Sequence, residues 1–196
     1  MNVSLVPNVR MNVDEFLAWS ERQPAENRYE LVDGEVVPMS PERYRHSLVK
    51  FEAAKALDAA VKAAGVPCRV LPDGPGVVIN DRTTRVPDAS VRYRGRAKQN
   101  PESTVLAAPL IVLEVVSPST ERDDLGDKLV EYLSVPSIHH YLIVLPKKRA
   151  VAHHKRNDQG EWSIYIRRDG DIVLAPPGIK VAVADLVGPD DTETDW

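Results

Sequence analysis

Pro109-Leu-Ile-Val-Leu-Glu114-Val-Val-Ser-Pro118 decides how the rest of this chain is read. Apart from Glu114 the run from Leu110 to Val116 is apolar, and prolines bracket it, so it reads as a central strand covered on both faces. A carboxylate in such a strand must be paired, metal-bound or protonated, because burying an unpaired charge is very costly. Upstream, Val86-Pro-Asp88-Ala-Ser-Val91 is a second β-rich stretch that also carries an acid. Side chains alternate along a strand, so Leu110, Val112, Glu114 and Val116 share one face, and Asp88, Ser90 and Arg92 share another. If the two strands are neighbours, Asp88 and Glu114 lie side by side. Paired carboxylates attract hard divalent cations such as Mg²⁺.

Working outward, Val13–Glu21 makes a short amphipathic helix with Phe16, Leu17 and Trp19 inward. Asp33-Gly34, between the β-prone runs Arg28–Val32 and Glu35–Pro38, is a strong hairpin signal, because the favoured two-residue turn needs positive φ at both positions. Arg43–Ala64 reads as the longest helix: Leu48, Phe51, Ala54, Leu57, Val61 and Ala64 recur at helical spacing, and Gly65 closes the pattern. Strands follow at Val66–Pro72, Gly76–Asn80 and Arg85–Tyr93, then a polar loop over 94–108. Ser117, Ser119 and their neighbours form a turn and helix start rather than a nucleophile elbow. Leu125–Leu133 is a helix with Leu125, Leu129 and Tyr132 on one side. His140–Pro146, Ala150–Lys155, Glu161–Arg168, Asp171–Ala175 and Ile179–Val183 continue as strands. The order predicts a mixed α/β sheet in a single domain over 1–187, with 188–196 as an acidic tail.

Whole-chain properties set limits. The 196 residues fit one domain, and 43% hydrophobic with 28% charged residues excludes a mostly disordered chain. A net charge of −4 carries no global nucleic-acid signature, so any polyanion contact needs a local basic surface. Candidate clusters are Arg82, Arg85, Arg92, Arg94, Arg96 and Lys98, and Lys147-Lys148-Arg149 with Lys155-Arg156. The lone Cys68 excludes a disulfide framework and a cysteine-rich zinc site, and its context reads as a buried strand residue. The N-terminus lacks a signal-peptide pattern and no apolar run reaches the ~20 residues that span a bilayer, so a cytoplasmic protein without membrane contact is expected. His139-His140 and His153-His154 are adjacent pairs whose side chains point to opposite faces of a strand, so neither pair chelates one ion simply.

The helix after Glu114 carries Lys128, which places a cation near the same point. Two carboxylates, a metal and a lysine suit phosphodiester hydrolysis: the metal polarises a phosphoryl oxygen and acidifies water, while the lysine steadies developing charge.

Tyr29-Glu-Leu-Val-Asp-Gly-Glu35, His46, Val86-Pro-Asp88, Leu113-Glu-Val-Val-Ser-Pro-Ser-Thr120 and Asp124-Leu-Gly-Asp-Lys128-Leu-Val-Glu-Tyr132 resemble, in order and spacing, the Uma-two family. That family comprises proposed restriction endonucleases within the PD-(D/E)XK nuclease superfamily, and the resemblance runs from about residue 13 to residue 187. It implies a restriction-endonuclease-like fold: a mixed sheet flanked by helices, with an N-terminal β-hairpin and extra C-terminal strands. It implies that Pro87-Asp88 is the "PD", that Glu114 is the "(D/E)", and that both bind Mg²⁺, or Mn²⁺ in its place. The superfamily's lysine falls at position 116, which is Val116 here, and Lys128 is its migrated replacement, reaching the site on a long flexible stem. Glu30 and His46 match the family pattern too, Glu30 as a supporting or metal-contacting carboxylate and His46 as a phosphate contact or proton shuttle. The implied activity is a metal-dependent endonuclease acting on DNA, and cleavage of both strands would favour a homodimer. Two rivals stand beside it: a catalytically degenerate module of the same fold that binds nucleic acid or protein, and a hydrolase of small phosphate esters.

Overall fold

Asp33 and Gly34 both take positive φ, 49° and 84°, and turn β1 (Tyr29–Val32) into β2 (Glu35–Pro38) in the register Val32↔Glu35. This is the two-residue hairpin expected of an Asp-Gly turn. A computed structural model describes residue 7 and residues 9–95, 97–117 and 126–189. Arg96, Ser119, Thr120, Asp124, Leu125 and the 190–196 part of the acidic tail therefore lie outside the described residues.

Helix α1 (Val13–Ser20) precedes the hairpin and starts with a reciprocal capping box between Asn12 and Glu15. It buries Val13 and Phe16 against Leu31 and Val36, with Leu17 and Trp19 only partly covered. Helix α2 (Tyr44–Ala64) ends on Gly65 at φ 61°. Next come β3 (Cys68–Pro72), β4 (Val77–Asn80), β5 (Thr83–Arg85), β6 (Ala89–Tyr93) and β7 (Ile111–Val115). Helix α3 (Asp127–Ser134) leads to β8 (His140–Leu145) and, past a single 3₁₀ turn, to β9 (Ala150–Arg156) and β10 (Trp162–Arg167). The hairpin of β11 (Asp171–Leu174) and β12 (Ile179–Ala182) and the short helix α4 (Val183–Val187) complete the described chain.

The main sheet has the order β10-β9-β8-β7-β6-β3; β7 and β8 run parallel and every other pair is antiparallel. A smaller sheet has the order β2-β1-β5-β4. The expected mixed α/β sheet with flanking helices, an N-terminal hairpin and added C-terminal strands is the observed architecture.

The expected strand over 85–93 is divided between the two sheets. Pro87 has no N–H to donate, so the ladder breaks there, and Asp88 sits in a bend just ahead of β6 rather than within a strand.

Alternation along β7 sorts two cores. Ile111, Leu113 and Val115 pack with Val49, Ala53, Leu57 and Val61 of α2 and with Ile172, Leu174, Ile179 and Val181 of the last hairpin. Val112 packs on the opposite face with Tyr132, Val135, Ile138, Tyr141 and Ile143. Glu114 shares that second face, as expected, whereas Leu110 precedes the strand and joins the first core. The apolar stripe of α2 matches the expected one at Ala54, Leu57 and Val61 and departs from it elsewhere: Val49, Ala53 and Ala60 are buried, and Phe51 is 61% exposed. The rotation that turns Phe51 outward turns Lys50 inward, where carboxylates hold it. Among the described residues, no helix is long and apolar enough to cross a membrane.

Candidate active site

The pairing of β6 with β7 runs Ala89↔Leu113, Ser90↔Val112 and Val91↔Ile111, and one further step along it sets position 88 beside position 114. The bend at Asp88 is held from both sides. Its carbonyl accepts the Asp73 amide at 2.9 Å, and its Oδ2 accepts the Val115 amide at 2.6 Å. The carboxylate then meets α2: Lys50 Nζ lies 3.0 Å from Oδ1, and His46 Nε2 lies 3.6 Å from Oδ2. Burial alone would raise the Asp88 pKa, but His46, Lys50 and the Val115 amide together hold it below the ordinary carboxylate value.

Lys50 is shared among three acids. Besides Asp88 it contacts Asp73 Oδ2 at 3.0 Å and pairs with Glu42, and Arg28 forks onto Asp73. Burial opposes the ammonium charge, yet the three carboxylates outweigh it and raise the Lys50 pKa above its ordinary value.

Glu114 turns toward α3. Lys128 Nζ, 3.2 Å away, and Tyr132 Oη, 2.9 Å away, both donate to Glu114 Oε1. Residues 128 and 132 are one helical turn apart on one face, which is why a single carboxylate reaches both. Burial and the neighbouring carboxylates, Glu114 first, push the Tyr132 hydroxyl pKa well above its usual value, so it stays protonated and donates. Glu30 is gripped by the segment leading into the bend. Its Oε1 accepts the Val86 amide at 2.8 Å and its Oε2 accepts Arg85 Nη1 at 3.1 Å, while Arg85 also forks onto Glu131.

All five residues singled out from the sequence, Glu30, His46, Asp88, Glu114 and Lys128, line one cleft of about 320 Å³, together with Glu42, Arg43 and Ser117. Within it, ligand atoms of Glu42, His46 and Asp88 lie within 4.8 Å of one another. This set adds Glu42 and His46 to Asp88, while Glu114, on the adjoining β7, lines the same cleft and accepts from Lys128 and Tyr132. The set suits a divalent cation on two counts. It offers carboxylate oxygens with an imidazole nitrogen, and an ammonium, that of Lys50, already rests on two of its acids as a cation would. Among the described residues, the buried His46 Nδ1 has no hydrogen-bond partner.

Glu42, Lys50 and Asp73 escaped the sequence reading. For the first two a signal existed, since Glu42, His46 and Lys50 are spaced by four; Asp73 lies on a loop with no local signature. The basic clusters fare differently from expectation. Arg85 is committed to Glu30 and Glu131, Arg92 donates to the Ala97 and Ala107 carbonyls, and Arg94 Nε donates to the Cys68 carbonyl. Arg156 donates to the Leu133 and Val135 carbonyls. Much of the expected polyanion track is therefore internal bracing; of the two arginines that line the cleft, Arg85 is buried and Arg43 is exposed.

The class this fold and cleft define is a nuclease-like α/β protein. The crystal structure of a "putative nuclease belonging to DUF820" from Anabaena variabilis shares the fold, with a TM-score of 0.70 at 18% identity, over 90% of this chain and 97% of that one. The model of the Uma2 family, described as "Putative restriction endonuclease", matches residues 13–186, and the chain belongs to that family. A relative at 27% identity over 179 residues, 90% of this chain and 91% of its own length, is the uncharacterized protein slr1290 of Synechocystis sp..

Proposed function

We propose that the chain, as one domain over 1–187, is a metal-dependent endonuclease that hydrolyses phosphodiester bonds of DNA with Mg²⁺ or Mn²⁺. The observation that carries this reading is the convergence on one cleft of Asp88, Glu114, Lys128, His46 and Glu42, with Asp88 in the bend that leads into β6 and Glu114 on the adjoining β7. Asp88 and Glu114 are assigned to the metal, with Glu42 and His46 completing the donors on the α2 side. When bound, the cation would draw charge from a phosphoryl oxygen and acidify water.

The remaining roles belong to the protein. Lys128 presents its ammonium to the charge that builds on the phosphoryl oxygens as water adds to phosphorus and the bond to the leaving oxygen breaks. Tyr132 holds the Glu114 carboxylate in one orientation, and Glu30 fixes the Arg85–Val86 segment that delivers Asp88. His46 turns its Nε2 toward Asp88 and helps to hold that carboxylate in place. Arg43 at the mouth offers a phosphate contact.

Incubation of the purified protein with supercoiled plasmid and Mg²⁺ or Mn²⁺ tests this. Nicking or linearisation is expected, abolished by chelation, and reduced about 100-fold or more in Asp88→Ala and Lys128→Ala. Cleavage that persists in both variants, or none by the parent with either metal, overturns it.

One observation favours a second reading. Val116, where the superfamily resemblance expects a lysine, packs against the apolar core beneath α3. A module that binds nucleic acid without cutting it fits that position, and retained DNA binding in a gel-shift assay without cleavage would mark it.

A further inference from the structure

The main sheet ends on two strands that the chain treats differently. β3 is guarded: Pro67 precedes it, Pro72 closes it, and the Arg94 side chain covers the Cys68 carbonyl. Proline and charge are the usual means of blunting an edge. β10 has no proline, and its one charge is its last residue, Arg167. Trp162-Ser-Ile-Tyr-Ile runs without proline or charge up to Arg167, and its register against β9 is unbroken over all six residues. Ile164 and Ile166 are 60% and 64% exposed. Among the described residues, β10 pairs with β9 alone.

The backbone shows which groups the open side offers. The Asn157 amide donates to the Glu161 carbonyl, so Glu161, and by alternation Ser163 and Tyr165, bond toward β9. Trp162, Ile164 and Ile166 therefore turn their N–H and C=O groups to the open side, and their side chains share one face.

We propose that β10 pairs antiparallel with β10 of a second copy of this chain, about a two-fold axis through Ile164. In this register Ile164 meets the partner's Ile164 and Trp162 meets the partner's Ile166. Glu161 meets the partner's Arg167, an attractive pair formed twice. Moving the axis to Tyr165 would instead oppose Glu161 to the partner's Asp169, two like charges. The contact is self-complementary, so it closes as a dimer rather than propagating. β10 runs parallel to β7, so the two-fold sets the two β7 strands antiparallel and the two clefts at opposite ends of a continuous sheet. Each cleft is complete within one copy, and the dimer stands whether or not the cleft cuts DNA.

Sedimentation velocity with light scattering on the full chain tests this. The expected mass is twice the 21.7 kDa of one chain. Ile164→Lys, at an exposed position, is expected to be monomeric with an unchanged circular dichroism spectrum. Glu161→Arg is expected to weaken the dimer, and Glu161→Arg with Arg167→Glu to restore it. A parent that is monomeric at every concentration overturns the proposal, as does a dimer indifferent to Ile164→Lys. A dimer lost in Glu161→Arg and not recovered in the charge swap overturns the register.

Discussion

Two buried polar clusters flank the main sheet of this protein, and they solve the same problem in opposite ways. At the cleft, Asp88, Asp73 and Glu42 surround Lys50, and Glu114 meets Lys128, so charge is kept and compensated. Under the β11–β12 hairpin, His140 Nδ1 lies 2.9 Å from His153 Nε2, and His140 Nε2 lies 2.8 Å from the Pro176 carbonyl. There, charge is given up. Burial first, then His153 and Lys155, pushes His140 down to about 3, and burial first, then Lys155, His154 and Arg167, pushes His153 down to about 4. Neutral rings satisfy the geometry: His153 Nε2–H donates to His140 Nδ1, and His140 Nε2–H donates to the carbonyl. Neutralisation suits a structural joint between hairpin and sheet. Retained opposite charges at a cleft suit a site that must receive a cation or a phosphate, because only such groups can exchange partners with an incoming ion.

The comparison breaks first at Lys50. Lys50→Met removes the ammonium that three acids share and leaves the buried Asp88 carboxylate with only His46 and the Val115 amide among its described partners, so urea unfolding at neutral pH should show a loss of about 3–5 kcal/mol. Millimolar Mn²⁺ should return part of that loss if the cleft accepts a cation. A loss under about 1 kcal/mol would mean that charge compensation is not what holds the cluster.

The histidine pair predicts a pH effect of the next size. Their folded pKa values lie below the ordinary 6.5. The unfolded chain therefore binds protons that the native state refuses, and stability, complete above pH 6.5, falls as the pH drops through the window down to about 4 and 3. Between pH 7 and pH 5 the decline should reach roughly 2–4 kcal/mol, the pair titrating as a unit. His140→Gln should flatten the curve, and an unchanged slope would refute neutral burial.

Tyr132→Phe sharpens the comparison at Glu114. It removes one of the two donors to Glu114 Oε1 described above and should cost about 1.5–2 kcal/mol, the worth of one hydrogen bond to a charged group. The smallest effect belongs to Phe51, which lies outside both clusters: Phe51→Ser should change stability by less than about 0.5 kcal/mol in thermal unfolding. A larger loss would place that ring in the core, where helical spacing alone had put it.

Phe51 also shows where sequence reading fails. Periodicity located α2, its Gly65 end and the buried Ala54, Leu57 and Val61, but it put Leu48, Phe51 and Ala64 inward where Val49, Ala53 and Ala60 are buried. Alanines at 53, 54 and 60 allow α2 to approach the sheet closely, and the buried carboxylates draw Lys50 inward; neither effect has a local signature. Arg85–Tyr93 likewise reads as one strand until the two sheets claim its halves on either side of Pro87.

What the sequence determined by itself is local or periodic. The Asp33-Gly34 turn follows from backbone sterics, the β7 strand from an unbroken apolar run, and the shared face of Val112 and Glu114 from alternation. The need of Glu114 for a partner follows from the cost of burying charge, and Lys128 was within reach of that argument because its helix follows directly. Only the tertiary structure decided that Asp88 belongs to a cluster with Glu42, His46, Lys50 and Asp73, that the arginines near it brace carbonyls and carboxylates inside the molecule, and that His140 meets His153 across two strands. Those contacts join residues far apart in the chain, and electrostatic pairing depends on distance in space, to which spacing along the chain is blind.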